Sequence, residues 1–368
     1  MLFGHIGDTL GRKKALILST ILMAFSTLAL GLLPSYEVMG IWTTLCVFLI
    51  RILQGISVGG EYSGGIILAI EHTSQEKRGT AGGFVIAGYT GGMFLGSLTT
   101  FLFTLSMMPS WGWRLPFLFG FLIIGVGLYV RRYIQETPDF VKSKKIKREP
   151  FIKELSNSPI LFFACIGCAG FTGIFCYALA VYIPAYLKDN FLVSTSMMMF
   201  MPILLTLTKI FGNVLFGNLS DKWGRIRTVK FGAALTTLLT FPFVYFLNES
   251  TFSIAFFALV AVGFISTIFI SPMGVLMVEI FNPIHRYRFA ALSFSIGMSL
   301  FAGTAPLIAA ALTKLTGGSF YLSCYFFSAG LMGWVSIKLI EAHLEYSSYL
   351  KKGLVKDLPL EKARSYGM

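Results

Sequence analysis

Long unbroken runs of apolar residues alternate with short charged connections along almost the whole chain. They predict ten helices that cross a membrane, at residues 15–33, 43–70, 80–106, 114–132, 159–187, 196–217, 229–247, 252–278, 289–313 and 319–340. A helix needs about 20 mostly apolar residues to cross the hydrocarbon core of a bilayer. Because the runs are continuous rather than alternating, they exclude a transmembrane barrel of strands. The sequence therefore predicts an all-α, polytopic membrane protein.

The distribution of charge predicts how the chain is oriented in the membrane. Of the 30 Lys and Arg residues, 25 fall in every second connection or the C-terminal tail, three fall in the remaining connections, and Arg51 and Lys209 lie inside spans. The positive-inside rule places the basic connections, and both chain ends, on the cytoplasmic side. The net charge of +13 thus reflects membrane topology and does not indicate nucleic-acid binding.

The longest connection divides the chain into two groups of helices. It is polar and contains the basic stretch "KSKKIKREP". We expect a partial N-terminal bundle at 1–132, a basic cytoplasmic linker at 133–158, a C-terminal bundle at 159–340 and a cytoplasmic tail at 341–368. A solvated loop and a site for anionic lipids are both compatible with the basic composition of the linker.

Two short motifs occur twice, in the same order. In "GHIGDTLGRK" and "GNLSDKWGRI", four residues recur 213 positions later: Gly4, Asp8, Gly11 and Arg12 correspond to Gly217, Asp221, Gly224 and Arg225. The second motif is a Glu and an Arg separated by six residues. It occurs as Glu71 and Arg78 and, 208 positions later, as Glu279 and Arg286. This is an internal repeat of parallel orientation, an arrangement found in transporters.

The repeat predicts a plan of twelve helices. Six spans lie between the first motif and its copy. In the second half of the chain, two spans precede the copy, whereas only three residues precede the first motif. We therefore expect the first helix of the plan and most of the second to be absent from this chain. A misplaced start, a separate peptide that supplies the two helices, and an inactive remnant of a transporter would each account for this.

The repeated G-x-x-x-D-x-x-G-R motif resembles the loop signature of the major facilitator superfamily. "RILQGISVGGEYSG", "EHTSQEKRG", "WGWRLPF" and "RRYIQETPDF" resemble its metabolite:proton symporter branch, and "ETPDF" with "IFNPIHRYRFAALSFSIG" favours the proline/betaine carriers. The resemblance implies a fold of two six-helix bundles and proton-coupled symport by alternating access. It covers essentially the whole chain. Arg288 departs from it, because the family usually has a small residue there.

The repeated loops are candidates for a conformational latch, meaning contacts that form in one state of the carrier and break in the other. Glycines allow close backbone approach at a tight loop. The carboxylates of Asp8 and Asp221 can meet a neighbouring helix N-terminus or an arginine. We expect the two Glu–Arg motifs to extend this charge network. The alternative is that these charges only mark the cytoplasmic face.

The span at 43–70 contains Arg51, Gln54 and Glu61. Charged side chains inside a bilayer are costly and normally face the protein interior or a water-filled path. We expect Arg51 and Gln54 to face the solute path, with Arg51 meeting a solute carboxylate, and Glu61 to relay protons. For Arg51, the alternative is a side chain that reaches the outer surface. For Glu61, it is a hydrogen bond that sets helix packing.

The spans contain three further candidate features. Lys209 lines the path or extends its ammonium towards the interface. Tyr177, Tyr182 and Tyr186 could offer ring faces to a quaternary ammonium, mostly through Tyr177; the alternative for Tyr182 and Tyr186 is the outer aromatic belt. Glycines at intervals of four, at Gly55 and Gly59 and at Gly88, Gly92 and Gly96, predict faces on which another helix packs closely.

Taken together, the sequence predicts a proton-coupled symporter of a small zwitterionic osmolyte, proline or glycine betaine, in a bacterial inner membrane. Its partners would be the solute, protons and the lipid bilayer. An organic-acid symporter of the same branch is the alternative. We find no nucleophile–base set, metal cluster or phosphate loop in the sequence, so it predicts neither an enzyme nor a cofactor.

Overall fold

The computed structural model describes residues 2–105, 107–143, 151–316 and 320–351, and these residues form helices and short connections. The helices are α1 (Leu2–Thr9), α2 (Arg12–Leu32), α3 (Tyr36–Met39), α4 (Ile41–Glu71), α5 (Arg78–Phe103), α6 (Leu115–Tyr133), α7 (Pro138–Ser143), α8 (Phe151–Asn157), α9 (Pro159–Tyr177), α10 (Ile183–Phe191), α11 (Thr195–Trp223), α12 (Arg225–Leu238), α13 (Thr240–Glu249), α14 (Phe252–Glu279), α15 (Arg286–Gly297), α16 (Ala305–Thr316) and α17 (Phe320–Lys351). Parts of the predicted linker (144–150) and tail (352–368) lie outside the described residues.

The predicted all-α membrane architecture is confirmed. Nine helical stretches of the described chain are long and apolar enough to cross a membrane: Arg12–Leu32, Ile41–Glu71, Gln75–Phe103, Pro159–Phe191, Thr195–Trp223, Arg225–Asn248, Phe252–Glu279, Arg286–Leu315 and Phe320–Glu345. Each coincides with one predicted span. The tenth predicted span, 114–132, coincides with the 19-residue helix α6.

Two of the spans contain a π-helical turn that the sequence did not predict. Ala178–Tyr182 joins α9 to α10, and Met298–Ala302 follows α15. A π turn widens the helix by one extra residue and is frequent at functional sites.

The two copies of the first motif adopt the same loop. Gly11, between α1 and α2, has φ 121°, and Gly224, between α11 and α12, has φ 91°. Only glycine adopts such values readily. The internal repeat is therefore visible in the backbone as well as in the sequence.

Several helix pairs join the two halves of the chain, among them α5 with α11 and α1 with α15. Glycine backbones allow both approaches. A Cβ atom built on Gly217 would lie 2.9 Å from Cα of Gly83, and one built on Gly4 would lie 2.9 Å from Cα of Arg288. Real Cβ atoms do not approach other atoms so closely, so a side chain at either position would push the halves apart.

The expected contact at the glycine stripe of α5 is wrong for the described residues. Cβ atoms built on Gly88, Gly92 and Gly96 would have no atom of the described chain within 4 Å. The close contacts of α5 lie nearer its start, at Gly79, Gly82 and Gly83. Spacing identified a bare face of the helix but did not show which part of the helix the partner covers.

Candidate functional site

The first copy of the repeated motif forms a buried cluster where α1 meets α2. Arg12 is fully buried, and its guanidinium contacts the Asp8 carboxylate. The same guanidinium donates to the backbone oxygens of Gly7 and Pro283, over 2.9 and 2.7 Å. Asp8 Oδ2 accepts a hydrogen bond from the backbone nitrogen of Arg288, 3.0 Å away at the start of α15. Asp8 therefore joins α1 to a helix of the other half of the chain.

The second copy forms the equivalent contact on α5. Asp221 Oδ1 accepts from the backbone nitrogen of Gly79, and Oδ2 accepts from that of Thr80, both over 2.7 Å. The Thr80 hydroxyl also donates to Oδ2, over 2.8 Å. A carboxylate at a helix N-terminus satisfies free N–H groups and is favoured by the helix dipole. Both aspartates thus bind the N-terminus of a helix in the opposite half, one of the two kinds of partner that the sequence predicted.

The two Glu–Arg motifs pair with each other across the halves. Arg286 Nη1 lies 2.9 Å from Glu71 Oε1, and Arg78 Nη1 lies 3.5 Å from Glu279 Oε1. Arg225 adds an ion pair to Glu279, with Nε 3.0 Å from Oε2. Glu71 thus pairs with Arg286 rather than with Arg78 of its own motif. We call the contacts of the two aspartates and these Glu–Arg pairs the latch.

Sequence reasoning missed a third element of this network, the segment that follows α6. Glu136 Oε1 accepts hydrogen bonds from the backbone nitrogens of Arg12 and Lys13, over 2.9 and 3.4 Å, and thereby caps α2. Asp139 Oδ2 lies 3.3 Å from Arg286 Nη1, so the segment contacts both halves. Two acidic residues at the start of a mostly basic connection were the available signal.

Burial raises the pKa of the Asp8 carboxyl above its ordinary value, although Arg12 offsets part of the rise. Removing a carboxylate from water disfavours its charged form. The latch therefore contains a carboxyl group that holds a proton more readily than an exposed aspartate does.

The structure brings two of the predicted path residues together on α4. Arg51 Nη1 donates to Gln54 Oε1 over 3.0 Å, and Gln54 Nε2 lies 3.4 Å from Thr27 Oγ1. Arg51 is exposed and Gln54 is partly exposed. One helical turn separates these residues, as the sequence indicated.

Glu61 lies further along α4, at the contact with α2. Its Oε1 accepts a hydrogen bond from the hydroxyl of Thr20, 3.2 Å away. Thr20 is buried and Glu61 is partly buried. The carboxylate of Glu61 thus links α4 to α2.

A cavity of about 590 Å³ lies between the two halves, in the part of α5 and α11 that is remote from the latch. The two helices also touch there, since Thr104 Oγ1 lies 3.3 Å from Met199 Sδ and the ring centroids of Phe101 and Phe200 are 6.2 Å apart. It is lined from α5 by Met93, Gly96, Ser97 and Thr100, from the α9–α10 region by Ala180, Val181, Pro184 and Ala185, and from α11 by Met198, Met199, Pro202 and Thr206. A second cavity of about 830 Å³ lies between α5 and α6. The latch lies at one end of the α5–α11 pair, and the first cavity lies towards the other.

Lys209 lies one helical turn beyond the last cavity residue of α11, on the side of the latch. Its side chain is buried, with 6% exposure, and its Nζ lies 3.6 Å from Sγ of Cys176 on α9. Tyr177 is 44% exposed. The structure therefore places Lys209 one helical turn from the cavity lining, whereas Arg51 and Gln54 lie on α4, which contributes no residue to that lining.

Comparison with known proteins agrees with this geometry. The sequence profile of the Major Facilitator Superfamily matches residues 1–283 and 165–352. The chain belongs to the Major Facilitator Superfamily. A Staphylococcus aureus relative, named as a candidate proline/betaine transporter, is 31% identical over 379 residues, which cover 100% of this chain and 80% of the relative. The proline/betaine transporter of Escherichia coli K12 is 29% identical over 352 residues, covering 91% of this chain and 70% of that protein.

Solved structures of the superfamily share the fold. The proton:xylose symporter XylE has a TM-score of 0.68 at 18% identity, covering 96% of this chain and 82% of that one. The human organic anion transporter MFSD10 has a TM-score of 0.67 at 18% identity, covering 92% of this chain and 79% of that one. The predicted family is thus confirmed, and the chain is a multi-pass membrane protein with the fold of transporters.

Proposed function

We propose that this protein is a secondary active transporter that carries a small zwitterionic osmolyte, proline or glycine betaine, together with protons. Its relatives at about 30% identity bear the names of those solutes. The proposed location is the bacterial inner membrane, with both chain ends in the cytoplasm, and the proposed partners are the solute, protons and the surrounding lipid.

One observation carries this proposal: the same helix pair is joined closely at one end and leaves a cavity between its helices towards the other. At the latch end, Asp221 binds the N-terminus of α5 directly. Towards the remote end, a cavity of about 590 Å³ lies between α5 and α11, beside the contacts of Thr104 with Met199 and of Phe101 with Phe200. Alternating access requires a state that is open to only one side of the membrane. We infer that the described arrangement is the state that is closed on the latch side.

The latch would hold this state and release it during the cycle. A carboxylate at a helix N-terminus is worth about 0.3–1 kcal/mol at the surface and up to about 2 kcal/mol when partly buried. Contacts of this size can form and break within one transport cycle. Asp8, Asp221 and the exchanged Glu–Arg pairs would form when the two bundles, 1–132 and 159–340, approach on this side.

Glu61 is the proposed proton carrier. Its carboxylate lies inside a spanning helix, where ionisable groups usually mark an ion or proton pathway. The contact with Thr20 gives it a hydrogen-bond partner on the neighbouring helix α2. Taking up and releasing a proton at this depth would couple solute movement to the proton gradient.

Uptake by the full chain in proteoliposomes tests the proposal. We expect radiolabelled glycine betaine or proline to accumulate when the lumen is more alkaline than the medium, and a protonophore to abolish the accumulation. Protein-free liposomes are the control, and excess α-ketoglutarate tests the organic-acid alternative. Accumulation that α-ketoglutarate blocks but unlabelled betaine and proline do not would reassign the solute class. No gradient-driven uptake of any of these solutes would refute proton-coupled transport by this chain.

A further inference from the structure

A row of four residues at intervals of four runs along α11: Lys209, Asn213, Gly217 and Asp221. Consecutive members of such a row are neighbours on the helix surface, and the row winds slowly around the helix. The last three contact α5 directly. Asn213 Nδ2 donates to Thr90 Oγ1 over 2.9 Å, Gly217 approaches the backbone of Gly83, and Asp221 binds the N-terminus of α5. From Asn213 to Asp221, therefore, the two halves of the protein are in contact.

Lys209 is the first residue of this row and lies between Asn213, which contacts α5, and the cavity. Thr206, one turn nearer the remote end of α11, lines the 590 Å³ cavity. Cys176, whose thiol contacts Lys209, likewise lies one turn from the cavity residue Ala180. Lys209 and Cys176 do not themselves line the cavity, but each lies one helical turn from a residue that does, on the side of the latch. The ammonium therefore lies just behind the latch-side end of the cavity.

The ammonium of Lys209 has no countercharge in the described part of the chain. Its polar contact there is the Cys176 thiol, 3.6 Å from Nζ, and a thiol is only a weak hydrogen-bond acceptor. No carboxylate of the described residues forms an ion pair with it. The other deeply buried cations, Arg12 and Arg286, each contact carboxylates. Burying an ammonium without a partner is strongly unfavourable, so this site has unused capacity for an anionic group.

We propose that Lys209 binds the carboxylate of the transported solute at the latch-side end of this cavity. This assignment rests on the proposed transport function and adds the anchoring group to it. The solute would enter between α5 and α11, and its carboxylate would supply the countercharge that Lys209 lacks. Lys209 lies on α11, which contacts the opposite half. A solute bound to Lys209 would therefore lie between the cavity and the part of the interface where α5 and α11 touch near the latch.

The geometry favours Lys209 over Arg51, the other intramembrane cation, as this anchor. Arg51 is exposed and donates to Gln54, and its helix α4 contributes no residue to the lining of the 590 Å³ cavity, whereas α11 contributes four. The guanidinium of Arg51 already has a polar partner. Lys209 has neither a carboxylate partner in the described chain nor appreciable exposure.

The thiol of Cys176 permits a test that does not depend on the identity of the solute. The full chain in nanodiscs is treated with an anionic (sulfonatoethyl) or a cationic (trimethylammonioethyl) methanethiosulfonate, and the modification rate of Cys176 is followed by peptide mass spectrometry. We expect the anionic reagent to react at least about fivefold faster, because the ammonium of Lys209 attracts it. Lys209→Met should remove this preference, Lys209→Arg should keep it, and Lys314→Met, at an exposed position, should match the wild type.

Two ligands that share a trimethylammonium group test the solute itself. Glycine betaine carries a carboxylate where choline carries a hydroxyl. We expect betaine to bind the solubilised full chain at least about tenfold more tightly than choline, which corresponds to about 1.4 kcal/mol, and to protect Cys176 from the anionic reagent. Lys209→Met should bring the two affinities to within about twofold.

The outcomes separate this proposal from the proposed function. Equal rates for both reagents in the wild type overturn the role of Lys209 even if uptake is normal. An anionic preference without protection by betaine, proline or α-ketoglutarate also overturns it. If proteoliposomes show no uptake but Lys209-dependent protection by one of these carboxylates is present, the binding assignment holds and the transport proposal fails.

Discussion

Arg286 and Glu71 lie 215 positions apart in the chain, and their side chains form a buried ion pair with 2.9 Å between Nη1 and Oε1. In the reciprocal pair, the first half of the chain provides the arginine, Arg78, and the second half provides the glutamate, Glu279. Each Glu–Arg motif therefore contributes one residue to each of the two ion pairs. The two halves are thus joined by interactions that neither half can form alone.

Glu71→Gln should destabilise the protein strongly. The substitution leaves Arg286 without one of its two carboxylate partners and weakens the countercharge of Arg12, and breaking a buried ion pair costs about 3–5 kcal/mol. Thermal unfolding of the detergent-solubilised chain measures the loss. Glu341→Gln is the control, because its pair with Lys230 is partly exposed and worth about 1 kcal/mol or less. Equal effects of the two substitutions would contradict the structural importance of the exchanged pair.

Gly83→Ala and Gly88→Ala should act in opposite directions. A Cβ on Gly83 would lie 2.7 Å from the backbone oxygen of Asn213, whereas one on Gly88 meets nothing within 4 Å in the described chain. We expect Gly83→Ala to destabilise the closed interface by about 1–3 kcal/mol. Gly88→Ala should gain up to about 1 kcal/mol from helix propensity. Thermal unfolding distinguishes them, and a tolerated Gly83→Ala would show that the interface is looser than described.

Glu61→Gln should uncouple transport from protons without abolishing solute exchange. The amide keeps the shape of the side chain but cannot carry a proton. In proteoliposomes, gradient-driven accumulation should be lost while counterflow of preloaded solute continues. Glu37→Gln, at an exposed position on α3, serves as the control. Unchanged accumulation by the Glu61→Gln variant would remove this residue from the proton pathway.

Arg51→Ala should preserve the preference for betaine over choline. The anchor proposed above is Lys209, so removing the exposed Arg51 should leave the ratio of the two affinities within about twofold of the wild type. Lys209→Met, measured in parallel, should lose the preference. The reverse pattern would return the solute carboxylate to Arg51, as the sequence alone indicated.

Acidification on the latch side should favour the closed latch through Asp8. Burial raises the pKa of Asp8 when the latch is closed, and opening would hydrate the carboxyl group and return its pKa to its ordinary value. The closed form therefore binds the Asp8 proton more tightly than the open form does. Lowering the pH from above the raised pKa towards the ordinary pKa of an aspartate thus stabilises the closed form. A cysteine introduced at Ser97 in the cavity should be labelled faster as the pH falls, relative to the same cysteine in an Asp8→Asn background. An identical pH dependence in both backgrounds would exclude Asp8.

The spans and the repeat could be predicted because their signals are local. An apolar run of membrane length specifies a helix wherever it packs, and the two copies of the motif differ little in their key residues. Gly11 and Gly224 accordingly adopt matching loops. The aspartates were also predictable in part, since a short acidic side chain in a tight loop has few partners other than a helix N-terminus or an arginine.

The partners across the interface could not be predicted from one sequence. Nothing near Glu71 indicates that its arginine is the one 215 positions away, because that depends on how the two halves pack. The capping role of Glu136 could not be predicted for the same reason, since the helix that it caps begins 124 positions earlier. The prediction that a helix packs on the glycine stripe at Gly88 was wrong for another reason. Periodicity identifies a bare face of a helix but does not show whether another helix covers it.

The exchanged pairing of the Glu–Arg motifs also bears on how such a chain could arise. If the two halves descend from one duplicated ancestor, the same residues would have paired between two identical subunits, each offering its glutamate to the arginine of the other in an isologous contact. Duplication and fusion would have preserved these bonds within one polypeptide. Afterwards the copies could not diverge independently: a change at Glu71 is compensated at Arg286, and a change at Arg78 at Glu279. Among descendants, substitutions should covary across the halves rather than within a motif.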